Sequence, residues 1–224
     1  MVRLSTPKQK MAYFLVGTWC LLLLGASAYL GLFHYAAIRV DGKNNLAELA
    51  KIYPAPQISQ SGHTAYHILY SDCGCSQRTA IQLLEEFQRV PSSDAQVVVL
   101  VGTKEQEQGF RLAVPDFDKL LSAQHIKLYL ENDEELFVKK FGLVGAPSLA
   151  FIDKSGALLY SGGYAPFRPT NTQKISFAEL RRNILTDLGH TMQPYPIFGC
   201  VIGKRTRQAS DPFRLKQISM GAGI

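Results

Sequence analysis

Two thiols separated by one glycine, Cys73-Gly74-Cys75 within "SDCGCSQRTA", are the residues of this 224-residue chain best able to do chemistry. The thiolate, not the thiol, attacks disulfides and binds soft metal ions. Cys20 and Cys200 complete the set of four cysteines. Cys20 lies inside a long apolar run and reads as a lipid-facing or helix-packing residue. Cys200 lies in "PYPIFGCVIG", rich in aromatics and proline. Three cysteines thus follow the apolar run, an odd number.

The bland reading of Cys73 and Cys75 is two small residues in a tight turn, but exported proteins seldom keep close thiol pairs idle. Disulfides prefer Cα separations of ~4.4–6.8 Å, which residues i and i+2 of an extended chain reach only at the limit. Gly74 permits the bend. The resulting small ring would be strained, easily reduced and oxidising, which favours an oxidase or isomerase over a reductant. Downstream, Ala80, Ile81, Leu84 and Phe87 share one face of a helix. Its head carries unpaired N–H groups and the positive end of the dipole, which favour a thiolate there. Arg78 adds to this and Asp72 opposes it. By position Cys73 is the more exposed thiol and the nucleophile; Cys75, nearer the helix start, can exchange that role with it.

Strand-length apolar runs and helical periods alternate around these thiols. Residues 65–70 (AYHILY) read as a strand entering the cysteine turn, and 95–102 (AQVVVLVG) as a strand buried on both faces. A helix is expected over 116–124 with Phe117, Leu120 and Leu121 inward, then a strand at 126–130 and a short helix in "DEELFVKKFG". "PSLAFID", the turn "KSG" and "ALLYSGG" have the form of a hairpin. A last helix, 176–189, opens on Ser176 with Glu179 at the capping-box position. The order β-α-β-α-β-α-β-β-α implies one three-layer α/β/α domain with a mainly parallel central sheet and an antiparallel hairpin.

Residues 11–38 hold no Lys, Arg, Asp or Glu, long enough to cross a bilayer core that needs ~20 apolar residues. Basic residues precede the run without any acid, favouring a cytoplasmic N-terminus (1–10) and export of the rest. Ala26-Ser27-Ala28 has the form of a cleavage site, yet apolar sequence continues past it, as in an uncleaved signal anchor. Residues 39–64 read as a stalk with some helical potential around 46–52, 65–200 as the folded domain, and 201–224 as a basic, disordered tail. That tail accounts for most of the net charge of +6, with five Lys/Arg against one Asp in residues 204–224. Nothing resembles a nucleic-acid surface.

A strand running into a Cys-containing turn, and "VGAPSLAFI" placing Pro147 before a later strand, together resemble the thioredoxin fold over about residues 65–188. The chain is most similar to the membrane-tethered, exported thioredoxin-like proteins of Gram-negative bacteria, including ones with a C-x-C site. The resemblance implies a cis Ala146–Pro147 bond, a substrate groove formed by Gly74, Ala146 and Pro147, and catalysis by Cys73 and Cys75. Cys200 could resolve a mixed disulfide on Cys73 or Cys75 if its segment folds back near the site; its bland reading is a buried or unpaired thiol packed under the C-terminal loop. It implies thiol–disulfide exchange on protein clients at the periplasmic face of the inner membrane, a redox partner protein, and no organic cofactor. The chain departs from the family at the motif: the usual site is Cys-x-x-Cys, and Asp72 replaces a frequent aromatic.

Three other readings use the same residues. Cu(I) could be held by Cys73 and Cys75 with His190, near Met192, although copper-handling relatives of this fold resemble a Cys-x-x-x-Cys pattern. A peroxidase site lacks the expected Thr and Pro upstream of Cys73. A redox-inactive interaction domain would keep both thiols buried. His63, His67 and His125 read as structural, and His34 as a membrane-boundary residue.

Overall fold

A computed structural model describes residues 7–35, 46–56, 61–123, 125–167, 174–187 and 193–203. The chain divides into two units, 1–36 and 37–224. In the first, α1 (Pro7–Tyr35) is a 29-residue helix whose described apolar side chains, among them Phe14, Leu15, Trp19 and Leu21 to Leu24, are all exposed. Among the described residues no helix is long and apolar enough to cross a membrane.

The second unit is built on a five-stranded sheet. Its strands are β1 (Thr64–Tyr70), β2 (Ala95–Val101), β3 (Lys127–Glu131), β5 (Ser148–Ile152) and β6 (Leu158–Gly162), in the order β3-β2-β1-β5-β6. β1, β2 and β3 are parallel, whereas β5 runs antiparallel to both β1 and β6. The hairpin is therefore more than an edge: β5 sits inside the sheet beside β1. Every residue of β2 and β5 is buried, which is why both read as continuous apolar runs rather than alternating ones.

The side-chain period of two divides these strands between two cores. Leu69, Val98, Leu100, Leu149 and Phe151 face a cluster completed by α3 (Gly74–Arg89), α4 (Lys104–Ala113), α5 (Phe117–Ala123) and α7 (Phe177–Thr186). Tyr66, Ile68, Val97, Val99 and Ala150 face a second cluster with Phe137 and Phe141 of α6 (Glu134–Phe141). Cys73, Ile197 and Ile202 belong to this second cluster.

Local chemistry explains the helix ends. Ser176 caps α7 through the Glu179 N–H at 3.2 Å, as its sequence pattern indicates. Helix α4, absent from the expected element order, starts from a capping box in which Thr103 and Gln106 bond reciprocally. α5 begins at Phe117, and Phe117 and Leu121 are buried as expected. α6 is capped by Asp133 and ends at Gly142, whose φ of 65° is the left-handed conformation that glycine adopts without strain.

The expected stalk is partly folded. Its residues 46–56 include a turn of 3-10 helix, Leu46–Glu48, and the short α2 (Leu49–Ile52). Leu46, Leu49 and Tyr53 are buried in the second core. Tyr53 donates to Glu131 at 2.7 Å and Tyr129 to the Pro54 carbonyl at 2.7 Å. Apolar residues in a segment rich in Pro and Ser read as a linker; burial against Phe141 makes them part of the domain.

Candidate redox site

The site begins where β1 turns into α3. The Tyr70 N–H donates to Ser76 Oγ at 3.0 Å, and the Ser71 N–H and hydroxyl both donate to the Val101 carbonyl at 2.9 Å. Gly102, at φ 142°, makes room for this: a Cβ there would overlap Ser71 Oγ. The turn is thus tied to the ends of β1 and β2 before it delivers Cys73.

Cys73 is the N-cap residue of α3, extended at φ −140° and ψ 110°, and its side chain makes no capping hydrogen bond. It is 1% exposed. Cys75, two residues into the helix head, is exposed and free. This reverses the sequence expectation that Cys73 is the more accessible thiol. The reason is geometric: positions i and i+2 at a helix start do not face each other, and the extended N-cap turns Cys73 inward beneath Ala146.

The partner of Cys73 is Cys200. The two form a disulfide with a Cα separation of 6.0 Å, across 127 residues of sequence. The expected Cys73–Cys75 bridge is not the one present. Cys200 is brought there by a two-stranded ladder in which β4 (Gly145–Ala146) pairs antiparallel with β7 (Cys200–Val201). Ala146 is opposite Cys200, Gly145 is opposite Val201, and the Ile202 N–H donates to the Val144 carbonyl at 2.9 Å. The Ala146–Pro147 peptide bond is cis, and the Ala146 carbonyl oxygen lies 3.9 Å from Cys73 Sγ. Residues 199–202 of the same chain cover the Ala146 edge.

The covering segment is held along its length. The Gly163 N–H donates to the Tyr195 carbonyl at 2.8 Å, and the Tyr195 N–H donates to Tyr160 Oη at 3.1 Å. Side chains at Gly163 and Gly199 would overlap the carbonyl oxygens of Pro196 and Ala146, so backbone meets backbone at both points. Near its end, Gly203 donates its N–H to the Glu134 carboxylate, which also accepts from Tyr70 Oη at 3.0 Å. Burial, reinforced by the nearby charges of Glu135 and Asp72, holds the Glu134 carboxyl above its ordinary range, while the Gly203 bond works in the other direction.

Tyr70, Glu134, Gly163 and Gly199 were not singled out from sequence. The glycine before Cys200 and the Gly162-Gly163 pair were the available signals. Arg78 lines an open groove of about 400 Å³ beside Gly74, with Gln77, Ile81, Glu85 and Lys174. Glu85 and Lys174 are paired there at 3.5 Å.

His67 is fully buried between Tyr164 Oη at 2.8 Å and Gln96 Oε1 at 2.7 Å. Burial lowers its pKa to about 4, so it is neutral, with its Nε2 proton directed at Gln96. His190 and Met192 lie outside the described residues. Among the described residues no group of three or more His, Cys, Asp or Glu is placed to hold a metal ion.

A central β1 that ends in a cysteine turn, opens a helix and faces a cis-proline across the site defines a thioredoxin-like fold. No family model and no curated protein matches the chain. Solved structures similar to it include a hypothetical protein from Sinorhizobium meliloti, 17% identical over 65% of this chain and 81% of that one, with a TM-score of 0.46. A thioredoxin-like protein from Aeropyrum pernix is 16% identical over 57% and 78%, with a TM-score of 0.35. The thioredoxin domain of a thiol-disulfide oxidoreductase from Bacteroides vulgatus is 11% identical over 56% and 81%, with a TM-score of 0.37.

Proposed function

We propose that the chain is a thiol–disulfide oxidoreductase of exported proteins, anchored by residues 11–38 in the inner membrane, with its folded domain on the periplasmic side. The redox couple is Cys73 and Cys200, and Cys75 is a free thiol able to enter by exchange. One observation carries this reading: a cysteine at the N-cap of α3, bonded to a distant cysteine beside a cis-proline, with a third thiol two residues away. An oxidising compartment suits such a bond, since disulfides persist in oxidising surroundings. The exposed apolar side chains of α1 suit a lipid environment.

In the reductive direction, the Cys73 thiolate at the head of α3 attacks a client disulfide. One client sulfur bonds to Cys73 while the other leaves as a thiolate and takes a proton from solvent. Cys200 then attacks Cys73 Sγ, re-forming the Cys73–Cys200 bond and releasing the second client thiol. The reverse sequence oxidises a client dithiol, and a redox partner protein resets the couple. The positive end of the α3 dipole stabilises the Cys73 thiolate as attacker and as leaving group.

The test is turnover of a disulfide-bonded protein with glutathione as the electron source. Cys73→Ser is expected to abolish it. Cys200→Ser is expected to accumulate a mixed disulfide on Cys73, and Cys75→Ser to retain at least a tenth of the rate. Wild-type turnover in Cys73→Ser would refute the proposal.

A further inference from the structure

The segment that carries Cys200 is bound as an extended peptide would be. Cys200 lies opposite Ala146 in an antiparallel ladder, the Ile202 N–H reaches Val144, and Ile202 is fully buried. On the other side of the sulfur, Gly199 packs so closely that a Cβ would overlap the Ala146 carbonyl and come within 2.7 Å of Pro147 Cδ. Strand addition of this kind draws affinity from main-chain hydrogen bonds and selectivity from alternate side chains. The selective positions here are the residue before the cysteine, where only glycine fits, and the second residue after it, which fills an apolar site.

From this the geometry points to the client class: extended segments in which glycine precedes the reactive cysteine and an aliphatic residue follows two positions later, docking on the Val144–Ala146 edge in place of residues 199–202. This deepens the oxidoreductase reading and rests on it. The chain's own segment is the template and the competitor, because its tether gives it a high effective concentration at the edge. A client gains access after the Cys73–Cys200 bond opens.

The test uses the full chain carrying Cys200→Ser and two capped peptides, PIFGCVIG (residues 196–203) and its Gly→Ala counterpart PIFACVIG, each supplied as a mixed disulfide with glutathione. Attack by Cys73 on the peptide sulfur forms the Cys73–peptide bond and breaks the peptide–glutathione bond. Glutathione leaves as a thiolate and is protonated by solvent. Capture at Cys73, located by peptide mapping, is expected to be at least tenfold faster with the glycine peptide. Equal rates would overturn the client assignment and leave the oxidoreductase reading standing. Failure of Cys73 to react with either peptide or with oxidised glutathione would overturn both.

A second arm does not depend on Cys200→Ser folding. Gly199→Ala in the otherwise intact chain is expected to shift the glutathione equilibrium of the Cys73–Cys200 bond at least tenfold toward reduction. An unchanged equilibrium would equally overturn the assignment.

Discussion

The paired strands β1 and β2 and the segment 193–203 are both largely covered, yet they are specified in opposite ways. β1 and β2 carry their own instructions: Tyr66, Ile68, Val97 and Val99 point to one core, and Leu69, Val98 and Leu100 to the other. Residues 193–203 contribute few apolar anchors, chiefly Ile197 and Ile202. Their path depends on missing side chains, at Gly163 in the partner and at Gly199 in the segment itself. A strand can be coded by what it contributes, whereas a backbone-on-backbone dock is coded by what is left out.

The largest effect should come from a cavity in the sheet. Phe151 of β5 is fully buried, stacked with His63 and edge-on to Phe177. Phe151→Ala is expected to cost about 3–5 kcal/mol in urea denaturation.

Next comes the buried His67. Its folded pKa of about 4 lies below the unfolded value of 6.5, so between those values the unfolded chain binds a proton that the native state refuses. The stability it contributes is fully present above pH 6.5 and is lost as pH falls toward 4, by roughly 3 kcal/mol in all. His67→Gln should flatten that part of a pH–stability profile; an unchanged slope would remove His67 as its source.

Gly163→Ala acts instead on the segment 193–203. It is expected to cost ~1–3 kcal/mol through overpacking against Pro196. Amide exchange should accelerate over residues 193–203 while β1 and β2 stay protected. Uniform acceleration would mean that the segment and the sheet unfold as one unit. The smallest effect should be Ser176→Ala, about 1 kcal/mol for a lost N-cap at α7, with no change in the reactivity of Cys200.

The same contrast explains what sequence revealed. The α/β layering, the hairpin, the Ser176 cap and the cysteine turn at the head of α3 were legible because each rests on local period or local chemistry. The pairing of Cys73 with Cys200 was legible only as a resolving role conditional on the segment folding back, because it depends on a ladder between Gly145–Ala146 and Cys200–Val201 that has no apolar pattern of its own. The burial of Cys73 was missed for a related reason. Its orientation is set by an extended N-cap conformation, and residue type does not announce that. The helical potential around 46–52 was legible, but the burial of Leu46, Leu49 and Tyr53 was not, because that short stretch runs into one whose Pro and Ser content suggests a linker.

Everything proposed for the site rests on Cys73 and Cys200 forming the redox couple. That pairing is tested most directly by equilibrating the full chain across glutathione buffers, alkylating free thiols and mapping the linked peptides. One bond, Cys73 to Cys200, is expected to open and close across the series while Cys75 stays alkylated in the oxidised form. A Cys73–Cys75 linkage as the oxidised state, or a Cys73 alkylated in every buffer, would contradict it.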